Sequence, residues 1–155
     1  MLTILVDADA CPVKDEIYRV ARRYALRVVV VSNTALWVPR DPLIELVVLG
    51  EARFNIVDDW IAEQAEFGDI VVTADIPLAS LCVKGGARVL APSGHVFSSA
   101  NVGVSLATRD LMIDLRAEGV VSGGPPPFGP KDRSRFLERL DQVIRQIQRV
   151  NEPRR

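Results

Sequence analysis

Four consecutive valines, Val28 to Val31, stand between Arg27 and Ser32. A strand with one wet face alternates apolar and polar residues, so an unbroken β-branched run predicts a strand covered on both sides. Ile70-Val71-Val72 has the same character, and both segments are expected at the centre of a sheet. Around them short β-rich runs alternate with helical patterns: Leu2 to Val6, Val13 to Tyr24, Arg27 to Val31, Glu45 to Leu49, Ile56 to Glu66, Asp69 to Thr73, Leu78 to Val83 and Arg88 to Ala91. That rhythm predicts βαβ units in an α/β three-layer sandwich with a mostly parallel central sheet. Pro12 suits the first turn of a helix, and Gly68 and Gly85-Gly86 punctuate helix ends.

Beyond the sheet, Val102 to Glu118 reads as one long helix. Gly123-Gly124-Pro125-Pro126-Pro127-Phe128-Gly129-Pro130 follows as a loop that either folds over the crevice or simply spans the surface, and a last helix is expected at about 133–150. No internal repeat interrupts the 155 residues, so one domain, 1–155, is expected. Cys11 and Cys82 have neither a zinc-knuckle spacing nor the density of a disulfide scaffold, which favours reduced thiols in the cytoplasm. Met1 to Val6 has no basic leader, and no apolar run approaches the roughly 20 residues that span a bilayer, so no membrane association is expected. The net charge of -1 excludes polyanion binding by bulk charge and leaves only a local surface for it.

Ligands of open parallel sheets bind beyond the carboxyl ends of the strands. Asp7 and Asp9 follow Thr3-Ile4-Leu5-Val6, and Asp75 follows Val71-Val72-Thr73-Ala74, so two strand ends can deliver carboxylates to one crevice. In the helix between them, Asp58, Ile61, Ala62 and Ala65 share the inward face, while Asp59, Glu63 and Glu66 share the outer one. Two like charges about 4 Å apart cost on the order of 4 kcal/mol at an effective dielectric near 20, so such a cluster needs neutralising. A shared proton, a nearby cation such as Lys14, or Mg²⁺ or Mn²⁺ held by oxygen ligands can each do this. The plainer alternative is helix capping by Asp7 or Asp9 near Pro12 and by Asp75 near Pro77. Capping does not account for two acids in Asp7-Ala8-Asp9 or for an inward Asp58.

Asp7-Ala8-Asp9-Ala10-Cys11-Pro12-Val13-Lys14, Ser32-Asn33, Asp58-Asp59-Trp60-Ile61-Ala62 and Thr73-Ala74-Asp75-Ile76-Pro77-Leu78-Ala79 together resemble the YaiI/YqxD family. Gly94, Phe97, Arg109, Leu115-Arg116, Gly119 and Asp132-Arg133-Ser134-Arg135-Phe136 extend the resemblance over nearly the whole chain. That family looks similar to PIN-type nuclease domains, in which acids at two strand ends and on an intervening helix bind Mg²⁺ or Mn²⁺ to cut RNA. The resemblance implies a PIN-like domain with Asp7, Asp58 and Asp75 as metal ligands; Asp9 is expected beside them as a fourth catalytic acid or outer base. Lys14, Ser32, Asn33, Arg109 and Arg133 become candidates for substrate binding. The departures are the Asp9-Ala10-Cys11-Pro12 segment and the lack of an obvious acid on an earlier helix, where Glu16 is available.

Other residues invite plainer readings. Carboxylates near Cys11 are expected to raise its pKa and leave it structural. Ser32-Asn33 can bind a phosphate or form a turn. His95 follows Pro92-Ser93-Gly94 in an expected loop, exposed and without partners. Trp60 is expected half-buried in its helix. Trp37 can stack on a base, but core packing is the expectation for both tryptophans. Residues 131–155 carry eight Lys or Arg against four Asp or Glu. There Leu137, Leu140, Ile144 and Ile147 form an apolar stripe, and Arg135, Arg139, Arg145 and Arg149 face solvent.

The leading expectation is a metal-dependent phosphodiesterase acting on RNA. A non-catalytic RNA-binding or adaptor domain using the C-terminal arginines is the alternative from another class. A HAD-type phosphatase is suggested by Asp7-x-Asp9 and Ser32, but there a Lys should precede the late acidic pair, whereas Asp58-Asp59 precede Lys84.

Overall fold

The computed structural model describes residues 2–9, 11–50, 56–119 and 128–151. Its elements run β1 (Thr3–Asp7), α1 (Lys14–Tyr24), β2 (Arg27–Ser32), β3 (Ile44–Val48), α2 (Ile56–Gln64), β4 (Ile70–Val72), α3 (Ile76–Lys84), β5 (Arg88–Leu90), β6 (Val96–Phe97), α4 (Val102–Ala117) and α5 (Pro130–Asn151). The six strands form one sheet in the order β3-β2-β1-β4-β5-β6, parallel except for β6, which runs antiparallel to β5.

The valine run is covered on both faces, as its composition requires. Val28 and Val30 join Ile4, Val6, Ile70 and Val72 under α1 and α5, where Ile17, Val20, Phe136, Leu140 and Ile144 meet them. Val29 and Val31 join Leu5, Val71 and Val89 under α2 and α3, against Val57, Ile61, Leu78 and Cys82. Burying one such aliphatic side chain stabilises the fold by about 1.5–3 kcal/mol, so these alternating strands fix both layers at once. The α/β sandwich with a mostly parallel central sheet is therefore the observed architecture.

Details of the sequence reading change at the edges. Pro12 stands outside α1, whose N-cap is Val13, with no side-chain cap bond. The last helix starts at Pro130, earlier than expected, and its stripe adds Phe136 and Val143 while Leu137 is only half-buried. Trp60 is half-buried against the α2–α3 side, but Trp37 is 77% exposed and not a core residue. Most of the Gly-Pro loop, 123–127, lies outside the described residues. Among the described residues, no helix is long and apolar enough to cross a membrane.

β1 connects through α1 to β2 on one side, whereas β4 pairs with β1 on the other. This reversal makes the carboxyl ends of β1 and β4 the topological switch point, where open α/β sheets form their ligand crevices.

Candidate active site at the β1–β4 switch point

Asp7 is the last residue of β1. Its Oδ2 accepts a hydrogen bond from Thr73 Oγ1 at 2.9 Å, across the junction to the end of β4. Burial pushes the Asp7 carboxyl up to about 6; the Thr73 bond opposes this, and the charges of Asp9 and Asp75 add to the rise. The same Thr73 oxygen accepts from Asp75 N at 3.0 Å, and Asp75 Oδ1 accepts from Leu78 N at 2.9 Å. Asp75 is thus the N-cap of α3, as the capping alternative requires, yet its carboxylate also acts on both Asp7 and Asp58. Neither Asp7 nor Asp9 caps α1.

Asp58 projects from the first turn of α2 and is partly buried, whereas Asp59 is exposed. Its carboxyl rises to about 7, first by burial, then by the charges of Asp75 and Asp7, by a hydrogen bond with Asp75, and by Asp59. Among the described residues every influence on Asp58 favours the neutral form, and no cation counters it. Asp69, the other acid beside β4, shows the contrast: it lies at the opposite end of the strand, where its oxygens accept from Thr3 N and Glu66 N. Carboxylates from β1, α2 and the β4–α3 turn therefore feel one another at the switch point. Among the described residues, however, no three His, Cys, Asp or Glu side chains form a ready-made metal cage.

The remaining candidates divide between positioning and strut roles. Ser32 is fully buried; its Oγ donates to Asp9 Oδ1 at 3.2 Å and accepts from Thr34 N, so it orients the exposed Asp9. Asn33 is half-buried at the end of β2, and its buried Oδ1 has no hydrogen-bond partner among the described residues. Lys14 Nζ donates to Ala8 O at 3.3 Å and Cys11 O at 2.9 Å, which straps the turn after β1; it is not among the charges acting on Asp7. Arg133 donates to Pro12 O at 2.6 Å and Glu16 Oε1 at 3.1 Å, with its guanidinium 5.1 Å from the centre of the Phe128 ring. These bonds make it a strut between α1 and α5. Arg109 is exposed on α4, beside Asp110.

Cys11 is buried, and burial comes before the neighbouring carboxylates in raising its thiol. His95 is exposed but has a partner, an edge-on Phe97 ring with centroids 4.7 Å apart. Thr73 is the residue that sequence reasoning passed over. A hydroxyl closing an apolar strand two places before an acid was the available signal, since such a group bonds the backbone two residues on.

A family model described as "Uncharacterized BCR, YaiI/YqxD family" matches residues 5–146. The chain belongs to the YaiI/YqxD family. Among curated relatives, a UPF0178 protein of Bradyrhizobium diazoefficiens is 59% identical over 146 residues, covering 94% of this chain and 87% of its own. Others are a UPF0178 protein of Rhodopseudomonas palustris, 60% identical over 96% of this chain and 95% of its own, and one of Azorhizobium caulinodans, 55% identical over 96% and 93%. No solved structure matches the chain. The YaiI/YqxD match includes all four acids of the crevice and α5 as far as Gln146.

Proposed function

We propose that this YaiI/YqxD chain is a PIN-like, divalent-metal-dependent phosphodiesterase that cleaves RNA. The observation that carries the reading is Asp58, raised to about 7 by burial and by three further acids, Asp75, Asp7 and Asp59, with no positive side chain among the described residues to relieve it. A structural acid would be paired or hydrogen-bonded to donors; an acid left in the field of three others suits a cation that arrives with its ligand.

The donor set fits Mg²⁺ or Mn²⁺. Both favour oxygen ligands, and Mg²⁺ usually keeps several waters and takes only one or two carboxylates besides substrate phosphates, so no complete protein cage is needed. Asp7, Asp58 and Asp75 are the residues that would hold the ion. When bound, it supplies neutralisation of the phosphate charge and a more acidic water. Thr73 fixes Asp7 and the Asp75 backbone together, and the α3 cap fixes the Asp75 carboxylate, so these groups need little reorganisation. Ser32 occupies Asp9 Oδ1, leaving Asp9 Oδ2 to take the proton from the water that attacks phosphorus. The water oxygen then bonds to phosphorus as the bond to the ribose oxygen breaks; that oxygen leaves with the bonding pair and takes a proton from solvent.

The test is cleavage of an end-labelled RNA 20-mer by purified protein in Mn²⁺, followed on a denaturing gel. Cleavage should disappear with chelator and in Asp7→Asn. Retained cleavage in Asp7→Asn, or no cleavage together with no calorimetric heat on adding Mn²⁺, overturns the proposal.

A further inference from the structure

Beside the carboxylates a groove of about 990 Å³ opens between α4, the start of α3 and the β5–β6 turn. Pro12, Ala74 and Ile76 line it, the last two flanking Asp75, and its lining is mostly apolar, with Phe97 and Met112 in it. Arg109 and Arg116 stand on the α4 wall, against Asp132 on the other. Ser93 and His95 also line a second, polar notch of about 420 Å³, together with Arg135 and Arg139 of α5.

The notch depends on a close approach. Gly94, at φ +90°, brings the β5–β6 turn against α5; a Cβ there would lie 2.8 Å from Arg135 Cγ. The turn thereby props the Arg135 side chain at one wall. Of the four arginines along the solvent face of α5, only Arg135 and Arg139 line the notch. Arg135 pairs with Asp132 at 3.5 Å, an exposed contact that screening makes weak and easily exchanged for a phosphate.

The features are a margin next to Asp75, an apolar floor with arginines on one wall, and a basic notch. A compact phosphate ester needs no apolar floor, and a duplex hides its base faces. An unpaired strand presents flat bases and regularly spaced phosphates, which this surface complements. We propose that single-stranded RNA reaches the carboxylates along this groove, its phosphates held by Arg109 at mid-groove and by Arg135 and Arg139 in the notch. The inference rests on the phosphodiesterase reading for the direction of the strand, and on the groove itself for its place.

Binding of a fluorescent U₁₂ RNA, followed by anisotropy with Asp7→Asn protein in chelator, keeps the strand intact and separates binding from cleavage. Arg135→Glu and Arg139→Glu should each weaken binding at least about fivefold and lower the steepness of its salt dependence. Arg149→Glu, the same charge change further along α5, should leave it unchanged. A matched RNA duplex should bind more weakly, and a polyglutamate peptide should not displace the RNA. Equal losses in Arg135→Glu and Arg149→Glu, no loss in either notch variant, displacement by polyglutamate, or no binding at all overturns the track. If Asp7-dependent cleavage persists under any of these results, only the track fails and the phosphodiesterase reading stands.

Discussion

Thr73 Oγ1 donates to Asp7 Oδ2 at 2.9 Å while accepting from Asp75 N at 3.0 Å, so one hydroxyl ties together two strand ends and two acids. Among the described residues it is also the one influence holding the Asp7 carboxyl down. Thr73→Val keeps the side-chain shape and removes both bonds. The Asp7 carboxyl should then titrate above its value of about 6, and stability at pH 7 should fall by about 1–2 kcal/mol. Carboxyl ¹³C NMR titration and urea unfolding measure the two effects; an unmoved Asp7 titration would show that the bond does not act on its charge.

Asp58 makes the sign of a second effect definite. Its folded pKa, about 7, lies above the ordinary 3.8. Between these values the folded state binds more protons than the unfolded one, so stability declines as pH rises through the interval and then levels off. Asp58→Asn removes the penalty. After discounting for the partial exposure of this carboxyl, the gain at pH 8 without divalent ions is about 1 kcal/mol, or an unfolding midpoint about 3 °C higher. Near pH 3.5 the gain should vanish. Thermal unfolding at the two pH values checks it, and a destabilised variant at pH 8 would contradict the repulsion described above.

Arg133 joins α1 to α5 through Pro12 O and Glu16 Oε1. The Glu16 side chain is only 12% exposed, and its Oε2 has no hydrogen-bond partner among the described residues. Arg133→Ala therefore leaves a largely buried carboxylate and should cost about 1–2 kcal/mol. Glu16→Gln in the same chain should recover part of that loss. Chemical denaturation of the four proteins in the cycle measures the coupling; strictly additive losses would mean that the ion pair contributes nothing.

How far the sequence could be read follows from the range of each interaction. The valine run and the alternation of elements specify both sheet faces, because burial is encoded residue by residue. Asp58 was placed inward by helical spacing alone, and Asp75 as a cap by Pro77 beside it. β6 was not foreseen, since two residues, Val96 and Phe97, are too few to show a period. Trp37 shows the limit of hydrophobicity as a guide, its flanks Leu36 and Val38 packing on the core while its ring stays outside. Side-chain partners were the least legible. Lys14, Arg109 and Arg133 looked alike as cations near a site, but only the tertiary fold decides that Lys14 holds two carbonyls, that Arg133 holds Glu16 and that Arg109 faces a groove.

Gly94 links the fold to the proposed strand path. Its φ of +90° is one that L side chains rarely adopt, and an added Cβ would lie 2.8 Å from Arg135 Cγ and 3.1 Å from the Arg135 carbonyl carbon. Arg135 Cγ can swing away, but the α5 backbone cannot, so Gly94→Ala must shift the β5–β6 turn. The combined strain should cost about 1–2 kcal/mol. Because the turn forms one wall of the notch, the folded variant should also bind U₁₂ RNA more weakly. Arg149→Glu provides the comparison for nonspecific charge effects. Unfolding and anisotropy on the same preparations distinguish the outcomes. A variant that loses stability but binds like its parent would place Arg135 outside the strand's path, whereas loss of both supports a turn that builds the basic notch.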